Sequence, residues 1–549
     1  MKLKSLKRFT PKRFRAIWLA PVFALVTLLA WSAASPMGSS PDGDFHLASI
    51  WCANPSDTAA CLPGASTEYR VVPEAVHEAP CFAMEQTKSA ACQADELSFD
   101  PTPVIETNRG NFVGNYPPVY YAAMSVFVGS DIVASVVVMR VVNVLLFIAI
   151  FGALYLLLPI ARRPALVWGW LITTVPLGLF LLASNNPSSW AIMGVGFAWI
   201  ALFGYFEAVG KRKIALGSIF ALAVVMAAGS RGDAAVYVVV GIGAVGILQF
   251  ALNKKFFVEA ILPVIMVVVS AYFFLMSQHS DIGTHGFTDT GTGTDIANGV
   301  DMDVLTGAIP TGTEPLSGFS LMAFNVLNIP QLLAGVFGSW ALGWLDTTMP
   351  ALVTFGGVAV FVAIGCGGLS RVSKKKLIVV ALLGISLWVI PVYTLGVGNN
   401  TVGELVQPRY LLPLIVLLGG ILMLTKGSQR IDFSRSQLVL VVGTLSVVQF
   451  VALHMNIRRY VTGTDAPGLN LNANIEWWWE MPFSPMAVWV GGSIAYALLV
   501  TILVREISRR SIGASADRVA VKPATDESTV ANGDQAVAKA TVSSGGELV

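Results

Sequence analysis

Apolar runs of bilayer-crossing length recur along almost the whole chain. They fall at roughly 16–34, 132–160, 164–183, 187–209, 214–229, 234–252, 256–276, 350–369, 377–395, 410–425, 436–454 and 485–504. Most approach the roughly 20 residues that a helix needs to cross the hydrocarbon core. The pattern predicts an all-α polytopic membrane protein with about 12 transmembrane helices. The stretch from Tyr116-Pro117-Pro118 to Gly129 is also apolar. Counting it as a span would move Arg162 and Arg163 outside and invert every later loop, so it is read as an interfacial helix. Residues 321–349, interrupted by Asn325, Asn328, Pro330 and Gln331, are read as a re-entrant or surface helix.

The basic residues are sorted. Lys2, Lys4, Lys7, Arg8, Lys12, Arg13 and Arg15 precede the first span. Arg162/Arg163, Lys211-Arg212-Lys213, Lys254/Lys255, Arg371 with Lys374-Lys375-Lys376, Lys426/Arg430/Arg435 and Arg505/Arg509/Arg510 mark later ends. The positive-inside rule places all of these, and both termini, in the cytoplasm. The first segment is too long for a signal-peptide core, despite Ser32-Ala33-Ala34 at its end, and is read as a retained helix. The expected organisation is a basic N-terminus (1–15), a first transmembrane helix (16–34) and an extracytoplasmic loop with the interfacial helix (36–131). A bundle (132–276), a second outer loop with the re-entrant helix (277–349), a second bundle (350–504) and a disordered cytoplasmic tail (505–549) follow.

Composition agrees. Of 549 residues, 55% are hydrophobic and only 12% charged, against about 25% charge in soluble domains. A net charge of +2 gives no reason to expect nucleic acid as a partner. No P-loop, zinc-protease motif or GxSxG elbow is present, which removes soluble-nucleotide chemistry. Four of the five cysteines, Cys52, Cys61, Cys81 and Cys92, lie in the first outer loop. An even set on the oxidising face predicts two disulfides. Sequential pairing closes the shortest loops. Cys366, alone in an apolar span, is read as a small buried residue.

Groups able to do chemistry are few. Asp42, Asp44 and His46 lie just after the first span. In an extended chain all three share one face; on a helix, Asp42 and His46 share a face and Asp44 points away. They form either a general base at the membrane surface, with or without a divalent metal, or a helix N-cap. Arg409, in Gln407-Pro408-Arg409-Tyr410, and Arg140, inside an apolar run, are candidates to hold a phosphate. Guanidinium forks match phosphate oxygens, and an ionised group in a span costs about 2.5–3.5 kcal/mol unless it faces protein or water. Arg231 either joins them or only pairs with Asp233. Arg458 and Arg459 either join them or snorkel to the interface. Asn185 and Asp346, in polar turns, are read as cavity-lining. Trp477-Trp478-Trp479 reads as an interfacial aromatic belt. The loop Asp281–Glu314 fits no EF-hand spacing and reads as a lid.

These elements together resemble GT-C glycosyltransferases, and more closely a bacterial, actinobacterial-type membrane-protein family of unknown function grouped with them. That family's first-loop pattern is Pro-Asp-Glu-x-x-His; this chain has Pro41-Asp42-Gly43-Asp44-Phe45-His46. Its Tyr-Pro-Pro-x-Tyr-Tyr element matches Tyr116-Pro117-Pro118-Val119-Tyr120-Tyr121. Its Gln-Gly-Arg-Tyr element resembles Gln407-Pro408-Arg409-Tyr410, with Pro408 where Gly is usual. The resemblance implies transfer of a sugar from a polyprenyl-phosphate donor to a cell-envelope acceptor (glycan, lipid or protein), with inversion and no required cofactor. Asp42, with Asp44 as alternative, would be the base, His46 would orient it, and Tyr116, Tyr120, Gln407 and Tyr410 would line the cavity. The Gly at position 43 leaves open whether Asp44 replaces the missing Glu. The rival readings are a transporter or flippase of a lipid-linked or anionic substrate, and a non-catalytic lipid-glycan-binding protein.

Overall fold

Nine helices among the described residues are long and apolar enough to cross a membrane. In this computed structural model the described residues are 15–54, 61–96, 103–277, 316–370, 372–404, 406–425 and 431–519. The basic residues 1–14, the expected lid, Arg371, Lys426, Arg430 and residues 520–549 lie outside them.

A 3-10 turn, Ala16–Leu19, leads into α1 (Ala20–Ala33). The segment after α1 carries α2 (Gly43–Trp51), α3 (Glu74–His77), α4 (Cys92–Glu96) and α5 (Val119–Ser125). Then come α6 (Ile132–Leu157), α7 (Arg163–Leu171), α8 (Leu177–Leu182), α9 (Ser188–Glu207), α10 (Gly210–Ala228), α11 (Gly232–Gln249), α12 (Lys254–Glu259) and α13 (Ile261–Met276). The second half holds α14 (Gly318–Gly335), α15 (Ala351–Leu369), α16 (Lys374–Val397), α17 (Pro408–Leu422), α18 (Arg435–Val461) and α19 (Pro485–Val519).

Three expected spans take other forms. The run 164–183 is broken between α7 and α8. There Thr173 and Thr174 turn their hydroxyls onto the Gly169 and Trp170 carbonyls, and Pro176 has no N–H to continue a helix. α10 opens on Lys211-Arg212-Lys213, and α17 has only 15 residues. The interfacial stretch 116–129 is helical only over Val119–Ser125. The last helix runs on to Val519, beyond the expected start of the tail at 505.

α9 and α17 form the centre and are buried on nearly every side. α13, α15 and α16 lie at the edge and turn residues such as Val268, Phe355 and Leu377 outward. A soluble protein rarely exposes such faces; here they meet lipid tails. Cys366 is on this outward surface, not in the core as its lone apolar setting had suggested.

The basic helix ends gather at one end of the bundle. Arg162 pairs with Glu207, Arg212 bonds the Leu157 carbonyl and Lys375 Nζ the Phe250 carbonyl. Lys376 Nζ caps both α15 and α17, at the Gly368 and Leu422 carbonyls. At the opposite end the segment after α1 and the one before α19 fold onto the helix tips. Val119 N–H bonds Gly229 O, Asn186 Nδ2 bonds Pro41 O, and Trp479 Nε1 bonds Ala33 O. A three-stranded antiparallel sheet, β1 (Leu62–Pro63), β2 (Arg70–Pro73) and β3 (Val104–Thr107), interrupts an otherwise helical chain. Disulfides join Cys52 to Cys61 and Cys81 to Cys92, the sequential pairing.

Candidate functional site

The site is built on the tip of α2. Asp42, at its N-cap, adopts a left-handed backbone (φ 55°), a conformation that short polar side chains tolerate. Its side chain does not cap the helix; Oδ2 instead accepts from Arg409 Nη2 at 2.5 Å. The next residue must be small, because a Cβ at Gly43 would lie 2.5 Å from the Gly38 carbonyl oxygen. One turn on, His46 bonds the Asp42 carbonyl through its backbone N–H, and its Nδ1 lies 3.0 Å from the Tyr121 hydroxyl. Asp44 points elsewhere, as helical spacing requires, and its carboxylate is gripped by Arg109 through Nε and Nη2.

Arg409 reaches this tip from α17. Pro408 stands in the first turn, where its missing N–H costs nothing, so Arg409 projects from the helix start. Arg409 is 3% exposed, and Nη2 also bonds the Tyr410 hydroxyl at 3.1 Å. Its Nε and Nη1 have no hydrogen-bond partner. Arg231, from the α10–α11 turn, lies against the same ring. Its guanidinium carbon is 4.5 Å from the Tyr410 centroid, against 5.0 Å for Arg409. It forks onto Asp233, lies 5.5 Å from the Tyr116 ring, and leaves Nη1 without a partner. Burial opposes the charge of Arg231, but Asp233 and the Tyr116 and Tyr410 phenols outweigh it and raise its pKa. Tyr116 in turn lies 5.7 Å from His46, ring to ring. Asp42, His46, Tyr116, Tyr121, Arg231, Arg409 and Tyr410 therefore form one buried cluster at the end opposite the basic helix tips. Beside Arg409, Pro41, Leu177, Trp340, Gly343 and Gln407 enclose a cavity of about 20 Å³.

Other candidates lie elsewhere. Arg140 spends its fork on structure: Nε on Asn185 Oδ1, Nη1 on Ser32 O and Ser35 O, Nη2 on Pro36 O. It ties down carbonyls at the end of α1 and just beyond it, and Asn185 completes the tie through Val136 O. Arg458 holds the Gly468 and Asn470 carbonyls rather than snorkelling. Arg459, fully buried, bonds Asp346 at 2.6 Å and the Phe82 and Lys88 carbonyls, anchoring the Cys81–Cys92 loop. Burial raises the Asp346 pKa above the ordinary carboxylate value, although Arg459 pulls it down. Burial likewise raises the phenol of Tyr120, which packs edge-on to Trp190. The tryptophan triplet folds back onto protein; Trp477 packs in a small core with Phe82, Trp344 and Tyr460.

Two site residues escaped the reading from sequence. Tyr121 sits inside the quoted Tyr-Tyr element, so the signal was present. Arg109 has no motif; its scarcity as a basic group in the outer loop was the only cue. Among the described residues no three His, Cys, Asp or Glu side chains converge as a metal site would require.

Fold and site define a multi-pass membrane protein with a buried ionic cluster at one end. The chain belongs to the family described as "Predicted membrane protein (DUF2142)", whose model matches residues 25–418. The match takes in Asp42, Arg231, Arg409 and Tyr410 and stops before α18, so Arg458 and Arg459 lie beyond it. No curated protein matches the sequence.

Proposed function

We propose that the protein is a glycosyltransferase of GT-C type. It would move a sugar from a polyprenyl-phosphate donor to a cell-envelope acceptor, on the extracytoplasmic face of a bacterial plasma membrane. One observation carries the reading: the buried Arg409 and Arg231 keep unpartnered N–H groups beside a carboxylate, Asp42, and an imidazole, His46. Buried donors normally find acceptors. Unsatisfied guanidinium N–H groups in a protein of this apolarity suit an anion that arrives with its own lipid.

In this reading Arg409 and Arg231 receive the donor phosphate and stabilise it as the leaving group. Asp42 removes the proton from the acceptor hydroxyl as it attacks the anomeric carbon, a role worth typically 10²–10⁴-fold. The hydroxyl oxygen bonds to that carbon, the carbon–phosphate oxygen bond breaks, and configuration inverts. His46, held by Tyr121, positions the acceptor. The positive-inside rule assigns the cluster to the outside, because the basic helix tips lie at the other end. Arg140 takes no part, since its guanidinium is spent on three backbone carbonyls and the Asn185 amide oxygen.

The test is transfer of radiolabelled sugar from a polyprenyl-phosphate donor by the purified full chain. Asp42→Asn is expected to lower the rate at least about 100-fold. Full activity in an Asp42→Asn, Asp44→Asn double variant rejects the base assignment, and absence of transfer across a panel of donors rejects the reaction class.

A further inference from the structure

We propose that, in the resting protein, the Asp42 carboxylate occupies the place that the substrate's anion takes, and that Arg409 exchanges the one for the other. The inference rests on the reading of Arg409 as an anion receptor.

Three observations converge. The contact between the two residues is one-sided: Asp42 Oδ2 meets Nη2 alone, and Nε and Nη1 stay unpartnered. An arginine built only to hold this aspartate would be expected to offer its fork, as Arg109 does to Asp44 with Nε and Nη2. The space beside Arg409 is also too small. The cavity that Arg409 lines, of about 20 Å³, accommodates a single water and takes no phosphate unless a neighbouring group moves. Finally, Asp42 stands at a helix N-cap yet makes no side-chain cap hydrogen bond. Arg231, with Nη1 free and its guanidinium against the Tyr410 ring, stands ready as a second donor to the incoming oxygens.

The exchange gives the site an order of events. Before the phosphate binds, Asp42 is locked to a cation and shielded from the acceptor. Once the phosphate claims Arg409, the carboxylate is released next to the newly placed donor. The base becomes available only when there is something to transfer.

The probe is farnesyl phosphate, titrated calorimetrically into the full chain in detergent. Removing the competing carboxylate by Asp42→Asn is expected to tighten binding about tenfold. Arg409→Gln is expected to weaken it by at least as much. Equal or weaker binding to a folded Asp42→Asn variant overturns the exchange, as does failure of both wild type and variant to bind. If that variant does not fold, a structure of the wild type with the probe decides. A phosphate oxygen within about 3.2 Å of an Arg409 nitrogen, with Asp42 moved out of hydrogen-bonding reach, supports the exchange; an intact Asp42–Arg409 pair overturns it. Exchange without sugar transfer would sink the glycosyltransferase reading alone. Sugar transfer with unchanged Asp42→Asn affinity would sink the exchange alone.

Discussion

At the residue scale, identical side chains do opposite work. Arg140 and Arg409 both drew attention as charges in apolar surroundings. Arg140 makes four hydrogen bonds to fixed acceptors, while Arg409 leaves two nitrogens unpartnered. Arg140→Gln is therefore expected to cost about 3 kcal/mol of stability, since hydrogen bonds from a buried charge are worth about 1.5–3 kcal/mol each. A lowered denaturation temperature would register the loss, and unaltered stability would return Arg140 to the list of anion binders. Gly43→Ala is expected to cost about 1–3 kcal/mol by forcing a Cβ against Gly38. That acids and arginines stand at the ends of apolar runs was legible from their rarity and placement. Their pairing was not, because Arg409 is 367 residues from Asp42 and Arg109 is 65 from Asp44. Spacing rules govern neighbours on one element and say nothing about such meetings.

At the scale of elements, the helices were legible because lipid demands long apolar segments with internally satisfied backbones. What escaped were the breaks and the short strands. The gap between α7 and α8 depends on threonine back-bonding and one proline within an apolar run, and β1 to β3 span only two to four residues each. Close helix approach is also concealed in sequence, since glycine serves many ends. α17, which delivers Arg409, crosses α7 so tightly that a Cβ at Gly169 would lie 2.8 Å from Gly420 Cα. Small residues let membrane helices approach in this way. Gly169→Val is expected to lower stability by about 1–3 kcal/mol. Gly443, which faces open space on α18, offers the contrast. Gly443→Ala should leave stability unchanged or raise it by about 0.5–1 kcal/mol through helix propensity. Thermal unfolding of the two variants side by side checks both, and equal effects would mean that the α7–α17 crossing is not close-packed.

At the scale of the whole molecule, the two ends of the bundle differ in kind. One end is ringed by Arg162, Arg212, Lys375 and Lys376, each tied to a neighbouring helix end. The other carries two disulfides and the buried ionic cluster. Two independent physical rules assign the same orientation: basic flanks stay in the cytoplasm, and disulfides persist on the oxidising side. The assignment can be checked in intact cells. With the outward-facing Cys366 changed to Ala and the other four cysteines in disulfides, a single new thiol reports which side it is on. Thr67→Cys, in the exposed turn between β1 and β2, is expected to react with a membrane-impermeant maleimide without permeabilisation. Lys255→Cys, exposed at the basic end, is expected to react only after the membrane is opened. The reverse pattern would put Asp42 and Arg409 in the cytoplasm. An extracytoplasmic acceptor would then be out of reach, and the disulfides would stand on the reducing side.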